Sequence, residues 1–545
     1  MARTRWLLFA ALLIGSAGFL QPVEYENTKS RWMLLRSIVD EGRLNIDSYQ
    51  RYTTDKSVFG GHYYSDKAIG LPLLAAPLYW ALRRTLFSRE ESLSAATILA
   101  DPRARYLVRV ATVSLPFALL GLLIFDLLIS LAVSARRALW SVLAYGFGTI
   151  ALSNAVLFSG HQTAAFFSFL SFVLLYRSAH GDKDRGRAIA VGFLAGLCAG
   201  LGVLCDYIAV FAAVPLTVYA LTSRVDRRAK LAFVCGAALC AGVLGAYNQA
   251  CFGSPLSLSY AHLETRPYDP TAEHGDMLFG RPRLSIILLL LGSASKGLLF
   301  ISPVLIYAVM GFRLLRRRAD LRREFNLLCV VPASALLVLS GFDGWHGGAC
   351  FGPRYLVAIL PFLALPMAFA ADGGPWFLLL FGLSAFQVGC AQLGCPHLHA
   401  DIYNPIADFI LPLMSQGVVA YTWLGKTGIV GHLAGGMLQY GIAAVLAALA
   451  FNGLPRIEGM KLPTGWKWFM GAFALYIIVV LCLFRTESRN VVRWRRAQAL
   501  HEFASATLSA EMERKARLEV SSDRASFGSP GLTDTTSKVF PEPGP

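Results

Sequence analysis

Charge is scarce in this chain. Only 15% of its 545 residues are Asp, Glu, Lys or Arg, against about a quarter in an ordinary soluble domain. With 55% hydrophobic residues and a mean hydropathy of +0.52, that shortage excludes a water-soluble enzyme and a disordered protein. Cysteine is too dispersed for a secreted disulfide scaffold. The ten cysteines are scattered singly, mostly inside apolar runs, as at Cys198, Cys205, Cys235 and Cys240, and read as small buried side chains. The short alternating segments of a membrane β-barrel are missing. So are a repeat of 20–50 residues and a Walker phosphate loop.

What is present is a series of apolar stretches, many near the roughly 20 residues that cross a bilayer as a helix. The expected fold is an all-α polytopic membrane protein. Spans are expected at 6–20, 107–132, 138–158, 162–177, 188–204, 206–222, 229–250, 297–315, 326–341, 354–370, 376–393, 430–452 and 467–484. The first follows a basic start, Met-Ala-Arg-Thr-Arg, and reads as an uncleaved helix rather than a removed signal peptide. The net charge of +16 reads as membrane orientation, not nucleic-acid binding, because the basic residues sit in short loops. The loops at 134–137, 177–187, 223–230 and 313–323 are the most basic and are expected inside. If the apolar run 68–82 crossed the membrane, all four would face outward. It is therefore expected to lie along the outer surface, and 21–106 becomes one long outer loop. This gives 13 spans in a membrane domain, 1–484. A charged tail follows, helical over 485–518 and disordered over 519–545.

Polar residues then gather on the outer side. Glu24-Tyr-Glu26-Asn-Thr-Lys-Ser-Arg31 follows the first span; a carboxylate there can act as a general base, or be an ordinary solvated acid. Gly60-Gly-His-Tyr-Tyr64-Ser-Asp66-Lys67 leads into the surface helix, where an ammonium can hold a lipid phosphate or merely snorkel. Gly344-Trp345-His346-Gly-Gly-Ala-Cys-Phe-Gly-Pro-Arg354-Tyr355 suits a phosphate-facing loop. Smaller pieces are Ser159-Gly-His161, Phe252-Gly-Ser-Pro and Lys296-Gly-Leu-Leu-Phe-Ile-Ser-Pro303. An aromatic belt also accounts for part of this composition. The run 284–291 breaks at Gly292 and is a candidate re-entrant segment. Asp126 and Asp206 fall within apolar runs and read as loop-end or locally paired residues. Cys390 and Cys395, with His397 and His399, admit a disulfide or a metal cluster; the plainer reading is unpaired thiols.

Taken in order, these pieces resemble the GT-C membrane glycosyltransferases of the protein-mannosyltransferase and aminoarabinose-transferase superfamily, glycosyltransferase family 39-like. The resemblance covers most of residues 1–460. It rests on Tyr-Ser-Asp-Lys-Ala-x-Gly, Phe-Gly-Ser-Pro, Lys-Gly-Leu-Leu-Phe-x-Ser-Pro and Trp-x-Gly-Gly-x-x-Phe-Gly-Pro-Arg-Tyr. It implies a GT-C-type bundle with juxtamembrane helices in the first outer loop. It also implies inverting transfer of a sugar from a polyprenyl-phosphate carrier to a hydroxyl acceptor (glycan, lipid or protein). Such enzymes work at the extracytoplasmic face of a bacterial-type inner membrane. A first-loop acid acts as base or orients the acceptor: by position Glu26, or else Glu24. Lys67 matches the carrier-phosphate lysine, with Tyr64 and Arg354 as further phosphate contacts. Asp66, His161, Trp345 and His346 are additional site candidates. No metal site or other cofactor is implied beyond the lipid-linked donor.

The rival classes are a transporter or flippase, an O-antigen ligase or polymerase, and a non-catalytic envelope protein. A transporter needs ionisable groups and broken helices at mid-membrane, and a ligase a large late outer loop; here the richest loop is the first. The orientation has a direct check. Single cysteines at Ser57 and Ser134 are expected to react with a membrane-impermeant thiol reagent from opposite sides; same-side labelling would break the placement of the first loop.

Overall fold

A computed structural model describes residues 1–20, 24–85, 101–180, 185–264, 279–394, 402–455, 464–483, 492–501 and 503–504. The chain is an all-α multi-pass membrane protein. Among the described residues six helices are long and apolar enough to cross a bilayer: Pro102–Ser130, Gly186–Cys205, Arg227–Phe252, Pro375–Leu393, His432–Ala450 and Thr464–Cys482. Each of the other expected spans also coincides with helix: 162–177 lies in the continuous 21-residue helix Gly160–His180, while others are shorter or broken. The breaks have local causes. Helix Ala135–Gly148 stops where the Thr149 hydroxyl turns back to the Tyr145 carbonyl, and resumes at Ala151–Asn154. The expected span at 297–315 is divided at Ser302-Pro303, since proline cannot donate the next helical hydrogen bond. Leu284–Gly292 is a short helix ending in a turn before Leu298–Ile301.

Several intramembrane polar groups are matched. Asp126 pairs with Arg5 at 2.8 Å, tying the first helix to Leu115–Ser130. The expected tail helix is partly described: 492–501 is helical, and Arg496 donates to the Asp408 carbonyl at 2.7 Å. Residues 519–545, Cys395, His397 and His399 lie outside the described residues. Cys390 is a buried thiol.

The segment after the first span supplies the parts that position the site. Helix Glu26–Arg36 starts on a reciprocal cap, in which Tyr25 N–H donates to Thr28 Oγ1 and Thr28 Oγ1 donates to the Tyr25 carbonyl. Its apolar side stacks Trp32 on Phe158, centroids 4.0 Å apart. The run 68–82 forms helix Gly70–Thr85, which buries Leu71, Ala75, Tyr79 and Leu82 in a cluster with Trp32 and Leu35. Leu74 and Trp80 remain exposed. That one-sided burial is the amphipathic pattern of a helix resting on a protein surface.

Between these helices the chain makes a hairpin that the motif reading did not foresee. Strands Lys56–Phe59 and His62–Ser65 pair antiparallel, Lys56 opposite Ser65 and Phe59 opposite His62. Gly60 and Gly61 form the two-residue turn with φ of +60° and +82°, a conformation that favours glycine at both places. Two hydrogen bonds fasten the hairpin to a distant segment: Ser57 Oγ donates to the Ser259 carbonyl and Ser259 Oγ to the Asp66 carbonyl, both at 2.8 Å. Ser57 is consequently buried. The labelling experiment is better made at exposed His62 on the turn, with Ser134, also exposed, as the opposite reporter.

Candidate active site

The hairpin register decides what meets what. Lys56 faces Ser65, so the residues just beyond the strand ends, Asp55 on one side and Asp66-Lys67 on the other, are brought together. Lys67 Nζ lies 2.7 Å from Asp55 Oδ2 and 2.5 Å from Asp66 Oδ2. The ammonium is buried, as is Asp66. Ser30 Oγ, from helix Glu26–Arg36, reaches Asp66 Oδ1 at 3.3 Å and Ser65 Oγ at 2.7 Å.

One residue further along that helix, Arg31 is 3% exposed. It donates to the Asn27 carbonyl and side chain. Its Nε has no partner among the described residues. Burial lowers its affinity for the proton, opposed by the charges of Asp206, Tyr260 and Asp66. The two carboxyls around Lys67 move apart. Burial pushes Asp66 up more than Lys67 pulls it down. Burial also raises Asp55, but Lys67, Arg354 and Arg31 more than offset this and hold it below its ordinary value.

The other half of the cluster comes from the ends of spans. Asp206 interrupts the helical path between Cys205 and Tyr207 in extended backbone, and Oδ1 caps the next turn by accepting from Ile208 N–H. Oδ2 accepts from His161 Nδ1. The approach is close because Gly160 has no side chain: a Cβ there would sit 1.9 Å from the Cys205 carbonyl oxygen. His161 is buried and its ring lies edge-on to Tyr355 at 6.0 Å. Arg354 sits over the Tyr355 ring at 5.2 Å and acts electrostatically on His161 as well as Asp55. Arg31 and Arg354 thus join the Lys67 half to the His161–Asp206 half.

Lys296, 2% exposed, anchors the glycine-rich loop before Arg354. Its Nζ donates to the Gly348 and Cys350 carbonyls at 3.0 and 2.7 Å. His346 Nδ1 accepts from Gly348 N–H at 3.0 Å within the same loop, and Trp345 is half-buried beside it. Tyr64 turns elsewhere. Its ring meets Phe252 at 5.2 Å in an apolar cluster with Met33, Ile69 and Tyr247.

The two first-loop glutamates stand at the margin. Glu26 is 38% exposed and paired with Lys29 at 2.8 Å. Its other oxygen accepts from Thr54 N–H at 2.7 Å, one residue before Asp55. Glu24 pairs with Arg105 at 3.4 Å. The structure therefore brings together Lys67, Asp66, Arg354 and His161 among the expected residues. It adds Arg31, Asp55, Asp206, Tyr260 and Lys296. Among the described residues no three His, Cys, Asp or Glu side chains gather as a metal-ligand set. The cluster offers donors to an anion: buried Lys67 and Arg31 and half-buried Arg354 differ in geometry, and Arg31 Nε keeps an unmatched N–H among the described residues.

No protein-family model matches the chain, and no curated protein does. Among solved structures it is similar to ArnT from Cupriavidus metallidurans bound to undecaprenyl phosphate: 14% identity and a TM-score of 0.45, covering 83% of this chain and 74% of that one. The same protein in its apo state gives 15% and 0.47, over 83% and 76%. An oligosaccharyltransferase of Archaeoglobus fulgidus in the apo form gives 14% and 0.37, over 89% of this chain and 60% of that one.

Removing Lys67 leaves Asp66 buried without its counter-charge. Lys67→Ala is expected to cost about 3–5 kcal/mol of stability, read as a lowered melting temperature in detergent. The double variant Asp66→Ala/Lys67→Ala should melt closer to the wild type. Equal losses in the two would show that Lys67 does not neutralise Asp66.

Proposed function

We propose that the chain is a glycosyltransferase of the GT-C type, taking a sugar from a polyprenyl-phosphate donor at the extracytoplasmic face of a cytoplasmic membrane. The observation that carries the reading is the grouping of buried Lys67 and Arg31 with half-buried Arg354, in which Arg31 Nε is unmatched among the described residues. The order of the sequence motifs supports the donor class. A sugar on a polyprenyl phosphate brings its own leaving group, so the protein has to stabilise the departing phosphate, orient an acceptor hydroxyl and exclude water.

In this reading Lys67 and Arg354 hold the donor phosphate, and Arg31 supplies a further N–H. The hydroxyl attacks the anomeric carbon opposite the phosphate and inverts it. Glu26 orients the acceptor, with Glu24 as the alternative. Its support is position: Glu26 is partly exposed at the start of the helix that carries Arg31, five residues or about 7.5 Å along the axis, and it braces the turn before Asp55. The donor sugar is a hexose or pentose, and the acceptor a glycan, lipid or protein hydroxyl. Transport has less support, because Asp126 and Asp206 are both locally paired.

The test is transfer of label from polyprenyl phosphates carrying radiolabelled hexoses or pentoses, in membranes with the wild type, Glu24→Gln, Glu26→Gln or Arg354→Gln. Glu26→Gln is expected to abolish transfer while the protein remains inserted. Full activity in Glu26→Gln with loss in Glu24→Gln would move the orienting role to Glu24. Arg354→Gln should weaken binding of undecaprenyl phosphate at least tenfold; unchanged affinity would remove its phosphate role.

A further inference from the structure

The acceptor hydroxyl must lose a proton, and the buried cluster contains one group placed to receive it. We infer that His161, held by Asp206, is the catalytic base of the transfer. This rests on the proposed glycosyl transfer and names the proton acceptor within it.

An ionised carboxylate only accepts hydrogen bonds, so His161 Nδ1 carries the proton donated to Asp206 Oδ2. In the neutral ring this leaves a lone pair on Nε2. That atom is buried and has no partner among the described residues, and His161 as a whole is 4% exposed. An unmatched acceptor in such a place is costly unless something fills it. An acceptor O–H supplies the missing donor.

The carboxylates nearby are already committed. Asp55 and Asp66 are held by Lys67, and Asp206 by His161 and the Ile208 N–H. Glu26 is paired with Lys29 at the exposed margin. The charged and titratable groups acting on His161 are Asp206 from the helix break, Arg31 from Glu26–Arg36 and Arg354 from the glycine-rich loop. Tyr355 meets its ring edge-on. Burial disfavours the imidazolium, Asp206 favours it and the two guanidiniums oppose it. The neutral ring, with Nδ1–H on Asp206, leaves Nε2 able to accept a proton.

The bookkeeping closes without a further reactant. The acceptor oxygen bonds to the anomeric carbon, and its proton moves to His161 Nε2. The bond from that carbon to the phosphate oxygen breaks, and its electron pair stays on the phosphate. The phosphate gains one negative charge as the imidazole gains one positive charge. Both changes occur inside the same low-dielectric cluster, so its total charge is constant. A base at the exposed margin would separate them.

The experiment compares wild type, His161→Gln and Asp206→Asn, purified in lipid nanodiscs. It measures turnover of the radiolabelled donor panel across pH 5.5–9 and, separately, binding of undecaprenyl phosphate. His161→Gln is expected to lower turnover about 10²–10⁴-fold with lipid affinity within twofold of wild type. The wild-type rate should fall on the acid side as His161 is protonated; that limb should vanish in His161→Gln. Added imidazole should restore part of the rate. Asp206→Asn should lower turnover at least tenfold and move the limb. His161→Gln turning over within threefold of wild type, with the acid limb intact, overturns the base. So does a tenfold loss of undecaprenyl phosphate affinity in that variant, which would make His161 a phosphate ligand or a structural residue. A wild type that neither binds undecaprenyl phosphate nor turns over any donor fails earlier, at the glycosyl-transfer reading itself, and the base falls with it.

Discussion

A charge in the interior of this protein has to be answered, by backbone oxygens as at Lys296 or by counter-charges as at Lys67, and the arrangement around Lys67 shows how far that requirement shapes the chain. An ammonium removed from water is tolerated only with close, well-aligned partners. Lys67 has two, from either end of a hairpin. The hairpin is held in register by Gly60-Gly61 and fastened through Ser57 and Ser259. Arg31 and Arg354 extend the charge pattern to the break at Asp206. The same low dielectric that makes each charge expensive strengthens every interaction between them. In the proposed reading, stability and phosphate binding draw on one set of side chains.

The spans were legible because a run of about 20 apolar residues is a statement about length, and each expected run meets a helix. The interruptions were less legible. Thr149 ends a helix through a side-chain hydrogen bond to Tyr145, which composition does not announce. The surface placement of 68–82 followed from loop charge; the amphipathic burial of Leu71, Ala75 and Tyr79 agrees with it in form.

In the site, Lys67, Arg354 and His161 could be singled out as unusual residue types in polar pieces between spans. Their partners could not. Asp55 becomes a neighbour of Lys67 only through the hairpin, whose Gly-Gly pair between Val58-Phe59 and His62-Tyr63 was a readable turn signal. Asp206 reads from the sequence as a loop-end or locally paired residue; it stands at a break between helices, and its partner His161 lies 45 residues earlier, beyond any local pattern. Tyr64 illustrates the opposite error of proximity in sequence. Two residues from Asp66, it spends its ring on Phe252. Glu26 kept its position from the motif, but its contacts with Lys29 and Thr54 are visible only in three dimensions.

The fastening of the hairpin to Ser259 has a consequence for how the protein is made. Ser57 and Ser259 are 202 residues apart, and Arg354 enters the chain later still. During membrane insertion from the amino end, Lys67 exists long before the segments that complete its surroundings. Contacts of such long range form late in assembly. A nascent chain therefore reaches nearly the midpoint of its 545 residues before the hairpin can be anchored, and residue 354 comes later still. The buried polar cluster is complete only when the loop before the tenth span meets the first outer loop. A chain cut short of residue 259 already carries Lys67, Asp55 and Asp66 on one hairpin but lacks the Ser259 fastening.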